Sequence, residues 1–298
     1  METIDAQVPA QSGQQARGGI VARLAGVARR VLPGPYHVLR MTRHKVRVRQ
    51  LKRVLRVIAP KDGVVVQNGP FKGMIYVQSV IDSALAVPRA LGSALAPKLL
   101  GCYEAELHDA LASALHIPYA DVIDIGSAEG YYAVGLALRL PSTRVRAFEM
   151  DALRQQLCAE MAQANGVADR VIIDGACTPE KLTALLTGGR QFILCDCEGY
   201  ELELLQPDRI PGLKGCDLLV ELHDSANPAI SSTIMARFAP THEITLIQSS
   251  ESDPTAYPVL ASLSAKDQRF AVGEERPEGM QWVFLQASNG QPATGASR

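Results

Sequence analysis

No apolar run in this sequence approaches the ~20 residues that a membrane-spanning helix needs, and the stretch from Ile20 to Leu32 is interrupted by Arg23, Arg29 and Arg30. Neither a span nor the unbroken apolar region of a secretion signal is expected, which points to the cytoplasm. The six cysteines show neither a disulfide framework nor metal-ligand spacing. Cys195 and Cys197 lie inside an apolar run, where free thiols act as small hydrophobes. No internal repeat is evident. Acidic residues are missing between Asp5 and Asp62, where thirteen Arg and Lys fall, so the net charge of −1 conceals a basic N-terminal segment. A disordered or charge-dominated chain is excluded by 47% hydrophobic and 20% charged residues.

The length of 298 residues suits one α/β domain with an N-terminal extension. Residues 1–61 read as a basic, partly disordered arm, polar and Gly/Gln-rich to about Gly19, with a basic amphipathic helix expected from Val38 to Ile58. Contact with an anionic surface, lipid or nucleic acid, is one reading of the arm; a solvated helix packed by its apolar edge is the other. Residues 62–288 read as the main domain, with 62–120 a hairpin (Gly63 to Val77) and helical lead-in, and 121–288 the core. Residues 289–298 read as a flexible tail.

The core alternates strands with helices. Val122, Ile123 and Ile125 form a strand buried on both faces, Gly126 ends it, and Tyr131 to Leu140 has the apolar density of a helix. Further strands are expected at 144–148, 170–173, 191–197, 217–222, 243–248 and 281–286, with helices at 153–165 and 229–238. This order predicts a Rossmann-like, doubly wound seven-stranded sheet whose last strand is antiparallel. The insert between the last two strands, with Asp253-Pro254, Tyr257-Pro258 and Arg276-Pro277, reads as a lid or substrate loop.

A glycine turn closing the first parallel strand lets a nucleotide-like cofactor approach the backbone and a helix start. The fingerprint G-x-G-x-x-G is absent, because Ala128 replaces the second glycine, and Glu129 adds a carboxylate where a pyrophosphate would sit. S-adenosylmethionine (SAM) carries no phosphate and has a sulfonium cation, which an acidic turn with Asp124 at its base suits electrostatically. A turn that merely links strand to helix is the alternative. Acidic residues recur at later strand ends. Glu149, beside Met150, is placed to accept both hydrogen bonds of a ribose diol, and Asp174, with Gly175 and Ala176, to receive an adenine amino group. The cofactor set is therefore Asp124, Gly126, Ser127, Ala128, Gly130, Tyr131, Glu149, Met150, Asp174, Gly175, Ala176 and Asp196. Glu104 joins them if the helix around Tyr103 and Glu104 covers the cofactor; an ordinary amphipathic helix is the other reading.

The runs 122–133, Ala147-Phe148-Glu149-Met150-Asp151 and Asp196-Cys197-Glu198-Gly199-Tyr200-Glu201 together resemble the FkbM family of class I SAM-dependent methyltransferases, in which an Asp-x-Glu-Gly-x-Glu run follows the fourth strand. The resemblance spans roughly residues 121–223. It implies O-methylation of a sugar, glycan or natural-product hydroxyl. The family usually has Asn where Glu129 stands. Asp196, Glu198 and His223 are the expected catalytic residues, since a hydroxyl acceptor must lose its proton. Alternatively Asp196, Glu198, Glu221 and Asp224 form a hard-cation site for Mg²⁺, or His223-Asp224 caps the helix after Pro228. Three other functions stay open: an NAD-dependent oxidoreductase, a catalytically inactive scaffold of this fold, and RNA methylation. The last lacks the Asn/Asp-Pro-Pro-Tyr/Phe motif of amino-methylating enzymes.

Overall fold

A computed structural model describes residues 33–59, 64–86, 94–186, 188–274, 276 and 279–288. The polar start expected to be disordered and the expected tail at 289–298 lie outside them. The chain divides into two units, Met1–Gln50 and Leu51–Arg298. In the first, the described residues belong to helix α1, Pro33–Ile58, which continues into the second. Proline suits a helix start, where its missing N–H costs nothing.

The second unit begins earlier than the expected boundary at residue 61. Leu51, Val54, Leu55 and Ile58 recur at helical spacing and are buried in the core. They belong to the amphipathic helix expected over Val38 to Ile58, here packed by its apolar edge. Each of these side chains contributes about 1.5–3 kcal/mol by burial, together comparable to a domain's whole stability of about 5–15 kcal/mol. A chain beginning at Leu51 is expected to unfold in urea as the full chain does. One beginning at Asp62 is expected to show no cooperative transition.

The expected hairpin forms from β1, Val64–Val65, and β2, Ile75–Tyr76, with Val64 opposite Tyr76. Helices α2, Gln78–Ala86, α3, Leu95–Leu100, and α4, His108–Ala114, follow. The continuous helix expected through Glu104 is broken. Gly101 caps α3 at φ 77°, and a Cβ there would lie 2.0 Å from the Asn68 carbonyl oxygen, so the chain must turn at this glycine.

Seven strands make the main sheet: β3, Asp121–Ile125; β4, Arg144–Phe148; β5, Val171–Asp174; β6, Phe192–Cys195; β7, Asp217–Leu222; β8, His242–Gln248; and β9, Gln281–Ala287. Their order is β5-β4-β3-β6-β7-β9-β8. Of these, β9 alone runs antiparallel to its neighbours. This is the expected doubly wound, Rossmann-like sheet with an antiparallel last strand.

Side chains of β3, β6 and β7 alternate between two cores. Val122, Leu194 and Leu219 face α5, Tyr131–Arg139, and α6, Ala152–Ala164. Ile123, Ile193, Cys195, Leu218 and Val220 face Leu182 of α7, Pro179–Leu185, Leu204 of the short α8, Glu201–Leu204, and α9, Ile230–Phe238. Burial on both faces explains the unbroken apolar runs. The insert expected as a loop is largely helical: 3-10 turns at Pro254–Ala256 and Pro258–Ser262, then a helix at Ala265–Val272 capped by Ser264. Pro254 and Pro258 occupy first helical positions, where they initiate rather than break. Asp267 pairs with Arg53 at 3.0 Å.

Candidate active site

The carboxyl ends of β3, β4, β6 and β7 meet at the turn of residues 126–130. Gly126 (φ 90°) leaves no room for a side chain, since a Cβ would come within 1.8 Å of the Asp196 carbonyl oxygen. The N–H groups of Gly126 and Ser127 both donate to the Phe148 carbonyl, at 2.9 and 3.0 Å, folding the turn over β4. Glu149 accepts from the Ala128 N–H at 3.1 Å and from the Asp151 N–H at 2.8 Å. A carboxylate offers about four lone-pair sites, so two remain for a ligand. Met150, beside it, is 80% exposed.

Asp124 is fully buried, and neither carboxylate oxygen has a hydrogen-bond partner of ordinary geometry. Burial first, then the charge of Asp196, raises its pKa to about 8; the Ala133 N–H, in the first turn of α5, offsets only part. Ser127 Oγ and Asp196 Oδ1 are likewise buried atoms without partners. Three orphaned polar groups around one glycine turn fit a polar, partly cationic ligand, because buried polar atoms normally find partners.

Glu129 corrects an expectation. Its carboxylate does not face a ligand: it is buried, 2.5 Å from Lys98 Nζ and 3.2 Å from the Tyr76 hydroxyl, which donates to it. Lys98 also lies 4.8 Å from the centre of the Tyr103 ring. Glu129 therefore does not by itself bar a pyrophosphate from the turn. Lys98→Met would leave this buried carboxylate without its cation, and is expected to cost about 3–5 kcal/mol in urea unfolding. Adding Glu129→Leu should recover most of that loss.

On the acceptor side, β6 ends at Cys195, so the strand alternation expected through Cys197 stops early. Glu198 (φ 55°) turns outward, its side chain 89% exposed. Asp196, Glu221 and His223 nevertheless converge, with one ligand atom from each within 4.8 Å of the others. His223 Nε2 lies 3.5 Å from Asp196 Oδ1 and 3.7 Å from both Glu198 Oε2 and Glu221 Oε2. Its Nδ1 meets Glu201 Oε1 at 2.7 Å. Burial would lower the His223 pKa, but the Glu201 hydrogen bond and the charges of Asp196, Glu201 and Glu198 outweigh it and raise it. Burial, then the neighbouring Asp196, drives Glu221 strongly upward. Asp224 is elsewhere occupied: it accepts from the Ser231 N–H at 2.9 Å and hydroxyl at 2.5 Å, fixing the start of α9. It leaves the expected cation set, and His223 caps nothing.

Glu104 sits at φ 49° in the turn before the 3-10 segment Ala105–Leu107, not on a helix. Its buried carboxylate receives the Tyr132 hydroxyl and lies 3.2 Å from Arg276 Nη2. Burial raises it to about 7, against the pull of Arg276. Arg276, from the insert, also meets Glu106 at 2.5 Å and Glu274. Tyr131 is buried edge-on against Phe71 and Tyr103, each 5.2 Å between ring centres. It is a packing residue in this arrangement. Asp174 stays exposed at the end of β5, its pKa lowered first by Lys181 at 2.8 Å and then by the Gly175 N–H. Gly175, half-buried, and Ala176, exposed, follow in the same loop.

The structure thus gathers Asp124, Gly126, Ser127, Ala128, Gly130, Glu149 and Asp196 at one turn, and Glu198, Glu221 and His223 beside it. Sequence reasoning missed Glu201, Arg276 and Lys98. Glu201 was visible as the last acidic residue of Asp-x-Glu-Gly-x-Glu. The other two carry no local pattern. Among the described residues the non-glycine positions with positive φ are Glu104, Ala128 and Glu198, all bordering this site, where backbone strain tends to collect.

No protein-family model matches the chain, and no curated protein matches it. Solved structures do. A cofactor-bound protein from MTB, Rv0187, is 19% identical with a TM-score of 0.44, covering 72% of this chain and 92% of its own. The O-methyltransferase TomG from Streptomyces achromogenes, involved in tomaymycin synthesis and crystallised with SAM, is 15% identical (TM-score 0.45; 70% and 90% covered). An O-methyltransferase from Bacillus cereus in complex with S-adenosylhomocysteine (SAH) is 14% identical (TM-score 0.44; 79% and 96% covered).

Proposed function

We propose that this chain is a SAM-dependent O-methyltransferase of FkbM type acting on a hydroxyl of a sugar, glycan or small natural product, in the cytoplasm. The observation that carries the reading is the set of orphaned polar atoms on Asp124, Ser127 and Asp196 around the Gly126 turn, one strand from the carboxylate of Glu149. When bound, SAM supplies an electrophilic methyl group on a sulfonium. Asp124 and Asp196 answer its positive charge, Glu149 its ribose hydroxyls, Met150 and the loop of Asp174, Gly175 and Ala176 its adenine. Gly126, Ala128 and Gly130 let the backbone approach.

His223 Nε2 is the proton acceptor for the substrate hydroxyl, Glu201 fixes the ring from Nδ1 as a positioning residue, and Asp196 stabilises the imidazolium. Glu198, exposed at the rim, orients the acceptor. A second reading is favoured by the convergence of Asp196, Glu221 and His223. They could hold a divalent cation that acidifies the acceptor, with Glu201 in the supporting role such histidines require. The imidazole suits a transition metal better than Mg²⁺. Among the described residues no helix is long and apolar enough to cross a membrane.

The test is transfer of label from SAM to pooled hydroxylated sugars and natural products, followed by mass spectrometry, with and without chelator. Labelled product indifferent to chelator supports the histidine; loss restored by added metal supports the cation. Absence of SAM or SAH binding would remove both. Asp124→Asn gives an independent check. A carboxyl whose folded pKa is raised from 3.8 to about 8 contributes stability that is present below pH 3.8 and lost as pH rises through 8. At pH 8.5 the ligand-free variant is therefore expected to melt higher than the parent, while binding SAM more weakly.

A further inference from the structure

Two thiols stand beside this site and take no part in its chemistry. Cys195, the last residue of β6, is fully buried; Cys197 is partly exposed; their sulfurs are 3.5 Å apart. Although the strand ends at Cys195, both thiols pack on the core that contains Leu204 and Ile230. Asp196, between them, points the other way, toward His223. Its N–H donates to the Ile125 carbonyl at 2.9 Å, and its own carbonyl presses on Gly126, where a Cβ would come within 1.8 Å. Movement of Cys197 is thus transmitted to Asp196 and to the glycine turn. The backbone after Cys197 is held in the left-handed region at Glu198 (φ 55°), a conformation that costs energy for a residue with a side chain.

We propose that Cys195 and Cys197 form a redox-active pair, oxidised by a peroxide to a Cys195–Cys197 disulfide that displaces Asp196 and weakens cofactor binding. The partly exposed Cys197 sulfur attacks one peroxide oxygen, releasing water and becoming a sulfenic acid. Cys195 sulfur then attacks Cys197 sulfur, the S–S bond forms, and the sulfenic oxygen leaves as a second water. Two thiol hydrogens and two electrons pass to one hydrogen peroxide, giving two waters. The sulfurs must close from 3.5 Å to about 2.0 Å. A displacement of this order at a reacting group costs about 10²-fold in rate. The effect on function rests on the methyltransferase reading; formation of the disulfide does not.

Trypsin releases both cysteines in the fragment 191–209, which contains no other cysteine. The full-length reduced protein is treated with hydrogen peroxide, blocked with iodoacetamide and digested, and SAH affinity is measured before oxidation, after it, and after dithiothreitol. The fragment is expected to lose two hydrogens and take up no iodoacetamide. SAH affinity should fall at least about tenfold, equivalent to about 1.4 kcal/mol, and return on reduction. Cys197→Ser should bind SAH as the reduced parent does and ignore peroxide. Two free thiols in the fragment after oxidation, a bond from Cys197 to the neighbouring Cys177 instead, or a disulfide that leaves SAH affinity unchanged would overturn the proposal. If the reduced protein binds no SAH, the cofactor reading fails, while the fragment mass still decides the pair.

Discussion

His223→Ala is expected to lower turnover by about 10²–10⁴-fold, the range for a deleted general base, while SAH affinity stays nearly that of the parent. In the proposed mechanism His223 meets the acceptor rather than the cofactor, so the loss should appear in kcat. Its raised pKa sets the pH dependence. A base works when deprotonated, so kcat should rise with pH along a limb centred above 6.5, the ordinary value for histidine. Glu201→Gln removes the buried anion that holds the proton on the ring. That limb should then shift toward lower pH, with kcat reduced through looser ring placement. Stability follows the opposite course. A histidine with a raised folded pKa contributes stability that is full below pH 6.5 and lost as pH climbs through the folded value. The melting difference between parent and Glu201→Gln should accordingly be largest in acid. Unchanged kcat in His223→Ala, with acceptor saturated, would remove the base from the mechanism.

Much of the sheet was legible because its strands are buried on both faces: β4 and β7 fall at the residues that the apolar runs mark. Glycine turns were equally plain, since Gly126 and Gly166 end their elements where positive φ is needed. What the sequence hides is lateral. Glu129 looks like a ligand-facing acid until Lys98, thirty-one positions earlier, proves to be its buried partner. Glu104 looks helical because nothing local signals that Gly101 must turn under Asn68. Arg276 reaches Glu104 and Glu106 across 170 or more residues, a pairing no periodicity can announce. The apolar stripe of α1 was legible from its spacing; that its burial makes residues from Leu51 part of the second unit was not. Asp224 shows the limit of reading carboxylates at strand ends, since such residues also fix turns and helix starts.

Glu149→Ala is expected to cost the cofactor site about 10²–10⁴-fold in affinity, from two charge-assisted hydrogen bonds of about 1.5–3 kcal/mol each. Glu149 also holds the Ala128 and Asp151 N–H groups, so unfolding of the variant is measured alongside, and Glu149→Gln, which keeps one acceptor oxygen, should fall between. Glu129 no longer argues against a dinucleotide, so the discriminating ligand is NAD. Calorimetric titration of the full-length protein with SAH and, separately, with NAD therefore tests the central claim most directly. Saturable SAH binding that Glu149→Ala weakens at least a hundredfold, with no heat from NAD, is the predicted result; saturable NAD binding with silent SAH would contradict it.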